Sequence, residues 1–200
     1  SQMKLTKILL FISSLNLIYA LDLSGLNSNQ EWKTLQNNDV SIKTTQYLGF
    51  PICRAETILS LPLKTISAII ENVENYPNVF QRVTKTRVLE DDVVHIMLDM
   101  PFPFSGRDYI IKYIKHKFSS AWTFRFSAVE HEQAPPEKDH VRLIHAAGEW
   151  RLTAINDHET NVSYTWNGEL LGDFPNWALD RAWKTQGNEM MEWLNDELQD

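Results

Sequence analysis

Apolar and polar residues alternate along most of the chain, and the alternation breaks into a helical period in two places. The clearest alternation runs from Trp122 to Glu130. Trp122, Phe124, Phe126 and Ala128 share one face, and Thr123, Arg125, Ser127 and Val129 share the other. That is the period-two pattern of a strand buried on one side. Further strands are predicted at Glu31 to Leu35, Val40 to Tyr47, Cys53 to Ser60, Arg82 to Glu90, Val93 to Met100 and Arg107 to Phe118. Val141 to Ala147, Glu149 to Ile155 and Asn161 to Gly168 complete a meander. Polar clusters at Gln36 to Asp39, Asp91-Asp92 and Ser119-Ser120 supply turns,.

The first helical stretch is Leu63 to Val73, where Leu63, Ile66, Ile69, Ile70 and Val73 recur at spacings of three and four,. Asn75-Tyr76-Pro77 should end it, because the residue before a proline is pushed out of the helical region. The second runs from Pro175 to Leu198. Its stripe is Leu179, Trp183, Gly187, Met190, Leu194 and Leu198, and Asp180, Lys184, Asn188, Glu192 and Asn195 lie opposite. A mid-helix glycine costs about 1 kcal/mol relative to alanine, so Gly187 marks a close approach to a strand or to a ligand. A strongly bent sheet cannot fill its own concave side, and a long helix laid across it can close a space. The predicted fold is therefore α+β: a curved antiparallel sheet with a long C-terminal helix closing an apolar cavity.

Charge narrows the function classes. The net charge is -7 and the basic residues are scattered, so nucleic acid is not an expected partner, since phosphate neutralisation needs clustered cations. The lone Cys53 rules out an intrachain disulfide and a multi-cysteine zinc site,. The histidines at 95, 116, 131, 140, 145 and 158 show no metal-binding spacing,; no metal and no cofactor are expected. Nucleophile elbows and glycine-rich phosphate loops are absent from the sequence,. Near the N-terminus, Lys4 and Lys7 precede an apolar run from Ile8 to Ile18 and then Tyr19-Ala20. Residues 3–20 read as a secretory signal peptide, the alternative being an amphipathic helix that stays attached. Residues 21–30 read as a polar linker, and 31–200 as one domain. Export places the expected site of action in the periplasm or outside the cell.

The order of elements, with several short motifs, resembles the START (StAR-related lipid transfer) domain family of the helix-grip, Bet v 1-like superfamily, as an exported bacterial member. The motifs are Pro103-Phe104-Ser105-Gly106-Arg107-Asp108-Tyr109, Val141-Arg142 with Gly148-Glu149-Trp150, and Gly172-Asp173-Phe174-Pro175-Asn176-Trp177. Tyr76-Pro77-Asn78-Val79-Phe80 stands where the family passes from helix to strand. The resemblance spans Trp32 to Leu198. It implies binding of a lipid (sterol, phospholipid or fatty acid) by a monomer with transient membrane contact. It also implies that Arg107 and Asp108 are structural, with Arg107 in a buried ion pair; a role in holding a ligand head group is the alternative.

Strand parity and helix spacing give the expected cavity lining: Trp122, Phe124, Phe126, Trp150, Tyr164 and Trp166 from the sheet, and Trp183, Gly187, Met190 and Leu194 from the last helix. Each has the alternative reading of plain core. The six tryptophans at 122, 150, 166, 177, 183 and 193 together suggest a wide interior lined by rings. Burying a lipid chain is worth about 0.8 kcal/mol per CH₂, but the lipid needs a way in. The loops Met100 to Gly106 and Gly168 to Asn176 are the expected gate, with Phe102, Phe104 and Phe174 touching the membrane; a local hydrophobic clasp is the alternative. No catalytic residues are expected. The competing functions are an aromatase/cyclase-like enzyme of the same fold and a ligand-free interaction module.

Overall fold

The computed structural model describes residues 20–26 and 29–198. The expected signal peptide lies almost wholly outside the described residues. Among the described residues, ten strands form one sheet. A three-strand meander opens it: β1 Lys33–Asn37, β2 Ser41–Tyr47 and β3 Phe50–Leu59. The β2–β3 turn places both Leu48 (φ 51°) and Gly49 (φ 83°) in the left-handed region, the type I′ geometry whose twist suits a two-residue hairpin. Helices α1 Leu63–Glu71 and α2 Tyr76–Val79 then carry the chain to the opposite edge. Pro77 does not end a helix there; it occupies the first turn of α2, where a missing N–H leaves nothing unpaired.

From that edge β4 Val83–Glu90, β5 Val93–Leu98, β6 Gly106–Phe118 and β7 Ala121–Ala128 return by hairpins, and β9 Ala147–Asn156 and β10 Glu159–Asn167 complete the return. The order is β1-β2-β3-β10-β9-β7-β6-β5-β4, so the last strand pairs with the third and the two meanders merge into one curved sheet. The predicted strand Val141 to Ala147 is shorter than expected. Only His140–Arg142 is extended, as β8, and it runs parallel to the start of β6. The chain ends in α3 Leu179–Glu197, preceded by a 3₁₀ turn at Asn176–Ala178.

The concave face carries the main core, including Ile42, Ala55, Ile96, Ile111, Leu152 and Val162. A smaller cluster lies on the convex face. There Leu21 and Leu23 are buried with Ile52 and Ala147, and the Asp22 carboxylate accepts from the Ser24 N–H to fix the turn between them. The 21–30 segment is thus anchored by apolar burial at its start and is not a free linker there. A third cluster, Val93, Ile110 and Ala134, lies beneath the β7–β8 loop. Both faces of β5 and of the first half of β6 are therefore covered, and Val93 to Ile96 are all buried.

Candidate functional site

Helix α3 presents two adjoining stripes to the interior. Trp183, Gly187, Met191 and Leu194 are buried. A Cβ on Gly187 would stand 2.9 Å from Ile42 Cδ1 and 3.2 Å from Ala55 Cβ. The close approach is therefore to strands β2 and β3, and the glycine lets the helix backbone rest on them. The neighbouring stripe, Gln186, Glu189, Met190 and Trp193, faces a cavity of about 140 Å³. These positions follow i, i+3, i+4 and i+7, one helix face.

The cavity floor is aromatic. Tyr164 stands between Trp150 and Trp166, with ring centroids 4.4 and 5.2 Å away. Phe80 stacks on Trp150 at 6.1 Å, and Phe126 meets Tyr113 at 5.6 Å. Of the residues expected to line it, Phe126, Trp150, Tyr164, Trp166 and Met190 do so. Trp183, Gly187 and Leu194 do not, because they belong to the stripe seated on the sheet. Trp122 and Phe124 share the concave face but lie farther along it, in the packed core to which α1 contributes Ile66 and Ile70. Lys117 Nζ sits 4.6 Å from the Trp122 ring centre. Trp177 is 87% exposed and lines nothing.

Tyr76, Tyr109 and Tyr113 line the cavity too, and parity along β6 (Arg107, Tyr109, Ile111, Tyr113) was the signal for two of them. Burial pushes the phenols of Tyr76, Tyr109, Tyr113 and Tyr164 up, well out of the neutral range. They stay uncharged and offer hydroxyls. Tyr76 donates to the Ile70 carbonyl. The strongest polar element is an ion pair: Arg82 Nε and Nη2 each donate to a Glu189 oxygen at 2.7 Å. Beside it the Gln186 Oε1 atom is buried with no hydrogen-bond partner among the described residues.

Arg107 and Asp108 do not pair with each other, since adjacent strand residues point to opposite faces. Arg107 points toward the cavity and is fully buried. Its Nε donates to the Leu170 carbonyl at 2.8 Å, Nη1 to Ser105 at 2.6 Å and Nη2 to Leu171 at 3.0 Å. It is a clasp on the two mouth loops, not half of an ion pair. Leu171 (φ 52°) and Gly172 (φ 63°) are left-handed at that point. Asp108 faces the convex side. It accepts from Arg142 Nε at 2.9 Å and Nη2 at 2.7 Å, and lies 2.7 Å from His95 Nε2. Burial alone would raise its carboxyl, but the Arg142 guanidinium and His95 hold it below its ordinary value. Arg142 also donates to Ala134 and Pro135 carbonyls, tying down the β7–β8 loop.

At the mouth, Phe104 and Phe174 from the two loops meet with ring centroids 4.8 Å apart. Phe102 points outward and is 97% exposed. His145 lies 3.2 Å from Glu169 and packs against Phe50.

A curved sheet gripping one long helix over an apolar cavity defines the helix-grip class. The START domain family matches residues 14–197, and the chain belongs to it. A fragment of a STAR-related lipid transfer protein from Xanthomonas axonopodis is similar in structure. It has a TM-score of 0.74 and 20% identity, over 84% of this chain and 99% of that one. Human StAR-related lipid transfer protein 5 gives 0.75 and 17%, over 86% and 87%. The Zhui aromatase/cyclase from Streptomyces shares the fold more distantly, at 0.53 and 16%, over 73% and 92%. An uncharacterised Pseudomonas aeruginosa protein is 25% identical over 158 residues, 76% of this chain and 78% of its own.

Proposed function

We propose that this chain binds an amphipathic lipid in the cavity under α3 and shuttles it between membranes without chemical change. The observation that carries the reading is the aromatic-floored cavity bordered by Met100, Glu169 and Leu170 of two short loops whose Phe104 and Phe174 rings meet. Its apolar floor shields hydrocarbon, and its few polar atoms orient one end. The family membership and the lipid transfer proteins among the structural relatives support it. In this reading the protein acts as an exported monomer, periplasmic or secreted. Phe102 leads the mouth into a bilayer while Phe104 and Phe174 part.

The test is native extraction from the protein's own host followed by mass spectrometry. One defined lipid at near-stoichiometric occupancy is the expected result. No lipid, and no uptake of any lipid offered, would favour an interaction module. Turnover of an offered polyketide-like aromatic substrate would favour the aromatase/cyclase alternative.

A further inference from the structure

The cavity under α3 is small. Its volume of about 140 Å³ falls short of the roughly 300–1,000 Å³ that ligand pockets commonly offer. Phe104 and Phe174 can part to widen the entrance, but the volume is set by the spacing between helix and sheet. The sheet is one continuous hydrogen-bonded surface, and its packed concave side does not deform smoothly. A larger cavity therefore requires α3 to shift.

The two flanks of α3 are held unequally. On one flank Lys33 Nζ donates to Asp180 at 3.0 Å, and Trp183 Nε1 donates to the Gly168 carbonyl at 2.8 Å. Asn188 and Gln36 exchange two amide hydrogen bonds of 2.9 and 3.0 Å. Between these ties Gly187 rests on Ile42 and Ala55. On the other flank Gln186, Glu189, Met190 and Trp193 border the cavity. There Glu189 reaches the far wall at Arg82, the residue before β4, through two hydrogen bonds of 2.7 Å. The sheet side of this tie is fixed, because the Arg82 carbonyl accepts from the Asp99 N–H at the end of β5. The Arg82 and Glu189 side chains are 34% and 20% exposed. A bidentate pair is directional when closed, and one that reaches solvent separates at little cost because water replaces its hydrogen bonds. The Trp183 bond and the Gly187 seat are buried and have no such substitute.

We propose that Arg82 and Glu189 latch a lateral seam between α3 and the β4 edge, and that α3 swings on its β1–β3 flank to enlarge the cavity when the pair parts. This rests on the lipid-carrier reading and adds a moving wall to it, distinct from the loops at the mouth. The flank carrying Trp183 and Gly187 is the hinge, and the flank carrying Glu189 and Met190 is the free edge.

The swing and the latch are tested separately on the full chain. Spin labels at Lys85→Cys and Glu192→Cys span the seam, and a second pair at Thr34→Cys and Thr185→Cys spans the hinge flank. All four positions are exposed, and the native Cys53 is buried. Loading with cholesterol or dioleoylphosphatidylcholine from vesicles should lengthen the seam distance by roughly 2 Å, the scale of an ordinary helix shift, and leave the hinge distance unchanged. The latch is read by stopped-flow uptake of NBD-labelled cholesterol and phosphatidylcholine. Glu189→Gln should take up whichever lipid binds about fivefold faster than the parent, the ratio that about 1 kcal/mol supplies. The double exchange Arg82→Glu with Glu189→Arg should return the rate close to the parent's. A seam distance unchanged on loading, or a hinge flank that opens as far, overturns the swing. An unchanged uptake rate in Glu189→Gln, or no recovery in the double exchange, overturns the latch. The label pairs keep Arg82 and Glu189, so they decide even if the charge variants unfold. If the parent takes up no lipid, the carrier reading fails and this proposal with it.

Discussion

Replacing Arg107 by methionine keeps a long side chain and removes the guanidinium that holds both mouth loops. The carbonyls of Ser105, Leu170 and Leu171 each lose a charged donor at 2.6 to 3.0 Å. A hydrogen bond to a charged group contributes about 1.5–3 kcal/mol, and a stranded buried acceptor costs about 1–3 kcal/mol. The full sum will not appear. Gly172 and Asp173 are exposed, so the loop can peel outward and rehydrate two of the three carbonyls. The left-handed Leu171 backbone, which costs about 1–3 kcal/mol to hold, also relaxes once released. The expected loss is therefore about 3–5 kcal/mol. At about 2–4 °C per kcal/mol for a chain of this size, the melting temperature should fall by roughly 10 °C. Arg107→Lys should fall in between, since one ammonium cannot span three carbonyls arranged for a planar fork. Circular-dichroism melts and urea titration give the magnitude, and amide exchange gives the place: protection should drop first around residues 168–173. A methionine variant within about 1 kcal/mol of the parent, or one whose exchange rises elsewhere first, would refute the clasp.

Three further outcomes are expected. Asp108→Asn leaves Arg142 and His95 facing a neutral amide in a buried site and should cost about 3–5 kcal/mol in urea unfolding. The depressed Asp108 carboxyl contributes stability in the parent above its ordinary pKa of 3.8. That contribution is lost as pH falls below 3.8 through the folded value, so the parent-to-variant gap should narrow in acid; a gap constant from pH 7 to 2 would contradict it. Leu48→Asn should raise stability by about 0.5–1 kcal/mol, because Leu48 is 71% exposed at the left-handed first position of a type I′ turn that favours Asn-Gly,; a lower melting temperature counts against that geometry. Phe102→Ser combined with Phe104→Ser should slow lipid transfer between vesicles while costing about 0.5–1.5 kcal/mol from the lost Phe104–Phe174 contact,, and unchanged transfer rates would reject the gate.

Parity was a good guide to which face a residue occupies and a poor one to where along the face it sits. Trp122, Phe124, Phe126 and Trp150 share the concave side, yet only Phe126 and Trp150 reach the cavity. The extent of α1 packing over the far end is a tertiary fact with no local signal. On α3 the limit was angular. The stripe through Trp183 and Gly187 and the stripe through Gln186 and Met190 lie side by side, and hydropathy favours the sheet-facing one because it has no reason to be polar. Gln186 and Glu189 are polar, so hydropathy carries no signal that would set them on an interior face. Arg107 and Asp108 stood out as a motif, but apart from Ser105 their partners lie on other elements: His95 on β5, 13 residues away, Arg142 on β8, 34 away, and Leu171 in a loop 64 away. The short β8 was overextended because Leu143, Ile144 and Ala146 are apolar while the backbone turns at Ile144-His145.

The single peptide bond joining Arg107 to Asp108 passes through the sheet like a rivet with a head on each side. One head grips the cavity mouth; the other, through Arg142, grips the loop that contains Ala134 and Pro135. The outer loop and the mouth are thus mechanically in series, although the sheet separates them. If the chain carries lipid as proposed, a binder raised against residues 131–142 should alter the rate of lipid release without touching the opening.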